Sequence, residues 1–204
     1  LPGRPLLPAD LPAAAMQGDQ GAVERLIELG LPVDSPDAQG CTALLRASGG
    51  GHVALVDALL ARGADVTRTA RTGASPLSAA VSMRHVGIVE RLLVAGARAD
   101  QPLPGGITPL MVAAALGMPE MVGRLLAGRA DANATDEQGH MPLHCAAIYA
   151  FQARDRQRAL ALLDSLLLAG ADPDTPSQAG QTPLLLALGA RAEPGSACEE
   201  DVVL

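Results

Sequence analysis

Glycine recurs along this chain at a fixed interval, and the same short phrase follows it each time. Gly40, Gly73, Gly106 and Gly139 stand 33 residues apart, and Gly180 follows after 41. Behind them come Thr42-Ala43-Leu44, Ser75-Pro76-Leu77, Thr108-Pro109-Leu110, Met141-Pro142-Leu143 and Thr182-Pro183-Leu184. A period of this length is one supersecondary unit repeated in tandem. Such a unit is too small to bury its own apolar flank, so its neighbours must cover it.

Each unit spells out its own geometry. Proline suits the first position of a helix, where no backbone N–H is needed and φ is already close to helical. The Ser or Thr before it can cap the free amides of the first turn. A short apolar helix with Ala47, Ala79-Ala80, Ala113-Ala114, Ala146-Ala147 or Ala187 follows, its small side chains allowing close approach. A second helix carries Leu59-Leu60, Leu92-Leu93, Leu125-Leu126 or Leu166-Leu167 on one apolar face. Gly63, Gly96 and Gly170 end it, and Asp65, Asp131 and Asp172 open an extended polar hairpin toward the next unit.

The pattern resembles the ankyrin repeat, whose period and T-P-L-H-x-A signature it matches from about Ala9 to the C-terminus. The resemblance implies an all-α ankyrin-repeat solenoid: helix–turn–helix–β-hairpin units stacked in a curved array that binds other proteins. Residues 1–8 read as a Pro-rich linker and 9–204 as the repeat domain. The units are 9–39, 40–72, 73–105, 106–138, 139–179 with an insertion, and an incomplete 180–204. The first lacks the glycine and T-P step, as suits a capping repeat. In the fourth, Arg129 takes the place of the turn glycine and Gly128 comes one step early, so the helix is expected to end at Gly128. Gly49-Gly50-Gly51 reads as a soft connection between two helices. The eight extra residues of the fifth unit are expected between its helices, around Ala150 to Arg158. Val202-Val203-Leu204 reads as the start of another outer helix, and the natural protein is expected to continue beyond it. The chain starts at Leu1 rather than Met, so an excerpt or a processed form is expected.

Composition narrows the function. A charge of −7 is unlike a phosphate-backbone binder, so no nucleic-acid partner is expected. All 15 basic residues are Arg, which with abundant Ala, Gly and Pro suggests a GC-rich, bacterial genome. The three cysteines, Cys41, Cys145 and Cys198, form no disulfide framework and favour a reducing, cytoplasmic compartment. No apolar run reaches the roughly 20 residues of a membrane helix, so no membrane partner is expected.

Catalytic and cofactor chemistry find little to work with. No Ser or Cys stands in a nucleophile elbow. A phosphate-cradling loop lacks its Lys, since the chain has none. His52 and His85 are one repeat apart, about 8–10 Å, too far to share a zinc ion. His140, His144 and Cys145 cluster in sequence, but by the resemblance His144 is the structural histidine of the T-P-L-H step, with Met141 replacing its usual threonine partner. No cofactor and no metal are expected.

The remaining candidates are partner-binding residues. Tyr149 and Phe151, the only aromatics, begin the insertion, and Arg154, Arg156 and Arg158 follow. Aromatic and Arg side chains anchor many interfaces. The alternative is that Phe151 packs the insertion down and the arginines are solvated. By the resemblance, hairpin tips also recognise partners: Gln39, Arg71, Ile107, Gln138 and His140, together with Asp37, Cys41, Thr72, Ala74, Gly105, Glu137, Gln178 and Gln181. So do the inner-helix ends Met16, Gln17, Met83 and Leu116, with Met83 and Leu116 as exposed apolar groups. The expected function is a monomeric, non-catalytic scaffold that binds a protein through its groove. A second reading is a recruiting module of a larger enzyme or secreted bacterial effector whose catalytic part lies outside residues 1–204. A third is a structural spacer.

Overall fold

The computed structural model describes residues 5–153 and 155–188. Helices come in antiparallel pairs. The inner helices are α1 (Asp10–Met16), α3 (Ala43–Gly50), α5 (Pro76–Ser82), α7 (Pro109–Ala115), α9 (Pro142–Gln152) and α11 (Pro183–Ala187). The outer helices are α2 (Gln20–Glu28), α4 (Val53–Ala61), α6 (Val86–Val94), α8 (Pro119–Ala127) and α10 (Arg156–Leu168). Each inner helix from α1 to α9 packs on the next inner helix and on its own outer partner. A short 3-10 turn at Pro104–Gly106 precedes α7. No strand forms among the described residues; the segments before the inner helices are tight turns, closed by bonds such as Asp37 N–H to the Cys41 carbonyl (3.0 Å).

The helix starts follow from the sequence. Thr42, Ser75, Thr108 and Thr182 each accept a backbone N–H three residues ahead, at 3.1–3.4 Å. Pro76, Pro109, Pro142 and Pro183 sit in the first turn without wasting a donor. Equivalent side chains then line up in columns through the stack. Leu11, Leu44, Leu77, Leu110 and Leu143 are at most 2% exposed, and Val23, Val56, Val89 and Val122 at most 1%. Ala47, Ala80, Ala113 and Ala146 are fully buried between helices.

One buried position breaks the apolar pattern. The fully buried Ser48 hydroxyl has no hydrogen-bond partner, whereas the equivalent Ala15, Val81, Ala114 and Ala147 present only carbon. Burying an unmatched hydroxyl costs roughly 1–3 kcal/mol. Ser48→Ala is therefore expected to raise stability by about 1 kcal/mol in urea unfolding, the unusual case of a core truncation that stabilises.

The structure overturns three local expectations. The chain does not turn at Gly128: that residue has φ −77°, and Arg129 takes the left-handed conformation at φ +66°. The N–H of Arg129 bonds to the Leu126 carbonyl and that of Ala130 to Leu125, as Gly96 and Ala97 do one repeat earlier. Stacking of Leu125 on its neighbours sets where the turn falls, and Arg129 adopts the strained backbone there. Gly128 serves packing instead, since a Cβ on it would lie 2.9 Å from both methyls of Leu93.

Secondly, Gly49 and Gly50 end α3, and only Gly51 turns, at φ +78°. A Cβ on Gly50 would lie 2.6 Å from the His52 ring, so the glycines make room for an imidazole rather than soften the chain. Thirdly, the insertion is not a loop. The linker 153–155 is as short as 116–118, and the extra residues lengthen α9 to 11 residues and α10 to 13, against 7 and 9 in the preceding pair. Each helix gains about one turn, so the pair projects roughly 6 Å beyond its neighbours.

Arg129→Gly removes left-handed strain of about 1–2 kcal/mol, partly offset by the freer unfolded chain. A net gain of about 0.5–1 kcal/mol is expected, read as a higher midpoint in urea unfolding.

Candidate partner-binding groove

Two sets of side chains face outward on the inner row. Ala13, Arg46, Ala79, Val112 and Cys145 occupy one repeat position, and Met16, Gly49, Ser82, Ala115 and Ile148 another. These positions form a floor beside the hairpin tips, and at its N-terminal end it holds a pocket of about 310 Å³ lined by Ala9, Pro12, Ala13, Met16, Asp37, Ala38, Gln39 and Arg46.

The only charged group in this floor is neutralised on the spot. Arg46 donates to Asp37 Oδ2 from Nε (3.1 Å) and Nη2 (2.6 Å), and also to the Gln39 side chain. Burial opposes the Asp37 charge, but Arg46 and the N–H groups of Cys41 and Gln39 outweigh it and hold the carboxyl below its usual range. Asp136 repeats the device. Burial again opposes it, and the N–H groups of His140 and Gln138 lower its pKa. These two tips are thus preshaped by a carboxylate gripping two amides of its own turn, which leaves less ordering entropy to lose on binding.

The proposed contact residues divide by environment. Gln39, Arg71, Gln138 and Arg156 are exposed, Ile107 is 39% exposed and Met83 59%. Leu116 is half-buried, and His140 is half-buried with Nδ1 3.3 Å from Asp136 Oδ2. The two aromatics part company. Phe151 is 60% exposed on the added turn of α9, whereas Tyr149 packs over Gly117, where a Cβ would fall 2.1 Å from the ring. Arg154 lies outside the described residues, as do Cys198, the acidic run Glu199-Glu200-Asp201 and Val202-Val203-Leu204. Reading the sequence alone named Met16 as a groove residue, and the structure makes it a wall of the N-terminal pocket beside a hairpin tip; it missed Ile148. Both carry helical spacing, but which face points outward depends on the stack.

Neither of the two described thiols is activated. Burial pushes Cys145 up to about 11 and raises Cys41 as well, so both stay protonated near neutral pH. His144 is fully buried and structural. The Met141 N–H donates to its Nδ1 (3.2 Å), which leaves the ring proton on Nε2 to donate to the Gln181 carbonyl (3.0 Å) in the next unit. The missing threonine is replaced by the backbone of Met141.

The family model for ankyrin repeats (three copies) matches residues 11–102 and 77–155, well over half of the chain. The chain belongs to the ankyrin-repeat family. No curated protein matches it in sequence. Ankyrin repeats are generally protein–protein interaction modules and typically non-catalytic. No helix among the described residues is long and apolar enough to cross a membrane.

His144 links this ankyrin stack to pH. Burial, helped by the nearby His140, lowers its pKa below 6.5, against the pull of the Gln181 carbonyl. The folded state therefore binds this proton less well than the unfolded one, so the His144 contribution is complete above about pH 6.5 and is lost as pH falls through the lowered value. His144→Ser keeps an acceptor for Met141, as Ser78 does for Ser75. The variant is expected to be less stable than wild type at pH 7.5, with the gap narrowing by pH 5 in urea titrations; a constant gap would refute the linkage.

Proposed function

We propose that the chain is a non-catalytic scaffold that binds a protein partner along the cleft between its inner helices and hairpin tips. One observation carries the reading: the floor is uncharged or internally neutralised from Ala13 to Cys145, while large apolar groups stand exposed beside it. Met16 is 56% exposed, Met83 59%, Ile148 37% and Phe151 60%. Buried repeat columns explain none of these four. A spacer would more naturally show polar groups there. The projecting turns of α9 and α10 add Phe151, followed in sequence by Arg156 and Arg158, at one end of the cleft. The scaffold works in a reducing compartment, a reading supported by the unpaired Cys41 and Cys145.

Because Tyr149 is part of the packing, Phe151 and Met83 are the cleaner probes. Phe151→Ala and Met83→Ser are expected to shift unfolding stability by less than about 0.5 kcal/mol. The same variants should weaken capture of the partner recovered with wild-type protein by about tenfold or more, measured by quantitative pull-down. Undiminished capture by both would exclude this face.

A further inference from the structure

Two kinds of link tie the inner row together across successive helix pairs, and one junction has neither. At the turn end, His52 Nε2 lies 3.2 Å from the Met16 carbonyl, and His85 Nε2 lies 3.2 Å from the Gly49 carbonyl. At the tip end, Arg71 N–H donates to the Gln39 carbonyl (2.9 Å), Glu137 N–H to Gly105 (2.8 Å) and Gln178 N–H to Gln138 (2.9 Å).

Between the α5–α6 and α7–α8 pairs, both positions are chemically disabled. The tip residue is Pro104, which has no N–H to offer the Thr72 carbonyl. Its ring fills the space, with Cδ 3.0 Å from where a Cβ on Gly73 would stand. The residue one repeat after His85 is Met118, a side chain with no donor. The turn one repeat after Gly51 is Arg84, held at φ +65°. In keeping with these losses, α5 and α7 lie less closely together than any other consecutive inner helices. The polar links that remain belong to the outer row: Arg124 to Glu90 at 2.8 Å, both about half exposed, and Asp131 N–H to Asp100 Oδ1 at 2.9 Å. Exposed ion pairs contribute little.

We infer that this junction is a hinge. The stack consists of two stiffer blocks, α1–α6 and α7–α11, that part on the inner, cleft-facing side while the outer row stays joined. A repeat array is held together by nearest-neighbour interfaces, so it opens where one interface is weakest. The cleft floor crosses the hinge between Ser82 and Ala115. A partner lying along both blocks would therefore also set the angle between them, a consequence that rests on the proposed groove, whereas the hinge itself does not.

Native-state hydrogen exchange read by mass spectrometry tests the hinge directly, without any partner. In wild type, peptides covering 76–83 and 103–116 should exchange faster than those covering 43–50 and 142–149. Two variants rebuild the missing links separately. Pro104→Ala restores a backbone donor at an exposed site, and Arg84→Gly with Met118→His recreates the Gly51–His85 arrangement. Either link should slow exchange at the junction by roughly three- to tenfold, the effect of one net hydrogen bond. Even protection along the wild-type inner row, or no slowing in either variant, would overturn the hinge; slowing in either variant, with 43–50 unchanged, would support it.

Discussion

Leu44, Leu77, Leu110 and Leu143 touch water hardly at all, yet no helix pair in this chain could hide its own member of that column. Each is covered by the pair on either side. Burying a leucine is worth roughly 1.5–3 kcal/mol, so every pair depends on its neighbours for most of its stability. The ends depart from this only in part, since Leu11 in the first pair is itself fully buried. Leu26 is only partly buried beside a column in which Leu59, Leu92 and Leu125 are fully buried, and Leu184, the next member after Leu143, is 65% exposed. An apolar recess of about 160 Å³ lies there, lined by Leu143, Ala147, Leu163, Leu167, Pro173, Pro183, Leu184 and Ala187.

Once stacking fixes the backbone, one geometric task can be done by unlike side chains. Ser78, Met111 and His144 occupy the same position and each accepts the N–H of the residue capping its helix. Rings of His52, His85 and Tyr149 rest over Gly18, Gly51 and Gly117. Asp34, Asp100 and Asn133 each accept an N–H from the following unit, at 2.9–3.1 Å. Arg84 and Arg129 tolerate the left-handed turns that glycines take elsewhere. The repeat is conserved as a shape, and the chemistry that meets it varies from pair to pair.

That variation is where function and mechanics separate from the scaffold. A carboxylate closes the tip turns at Asp37 and Asp136, while Pro104 gives one of the two tips between them a bare edge. The added turns of α9 and α10 lift Phe151 out of the stack, and the same lengthening keeps Tyr149 within it. A two-residue difference along one helix thus divides a packing aromatic from an exposed one.

The amino-acid order alone determined the period, the helix starts at Thr42, Ser75 and Thr108, and the buried leucine and alanine columns, because each depends on local backbone chemistry or on helical spacing. It also carried the tip positions, since the turn glycines mark them. Three features needed the folded neighbours: the turn at Arg129, the helical state of Gly49-Gly50, and the insertion appearing as extra helical turns. In the first two cases the contact comes from a residue roughly one repeat away: Leu93 against Gly128, and His85 on the Gly49 carbonyl. The opposite fates of Tyr149 and Phe151 were illegible for the same reason: a sequence shows which side chains are apolar, whereas only packing against the adjacent pair decides which of them water can reach.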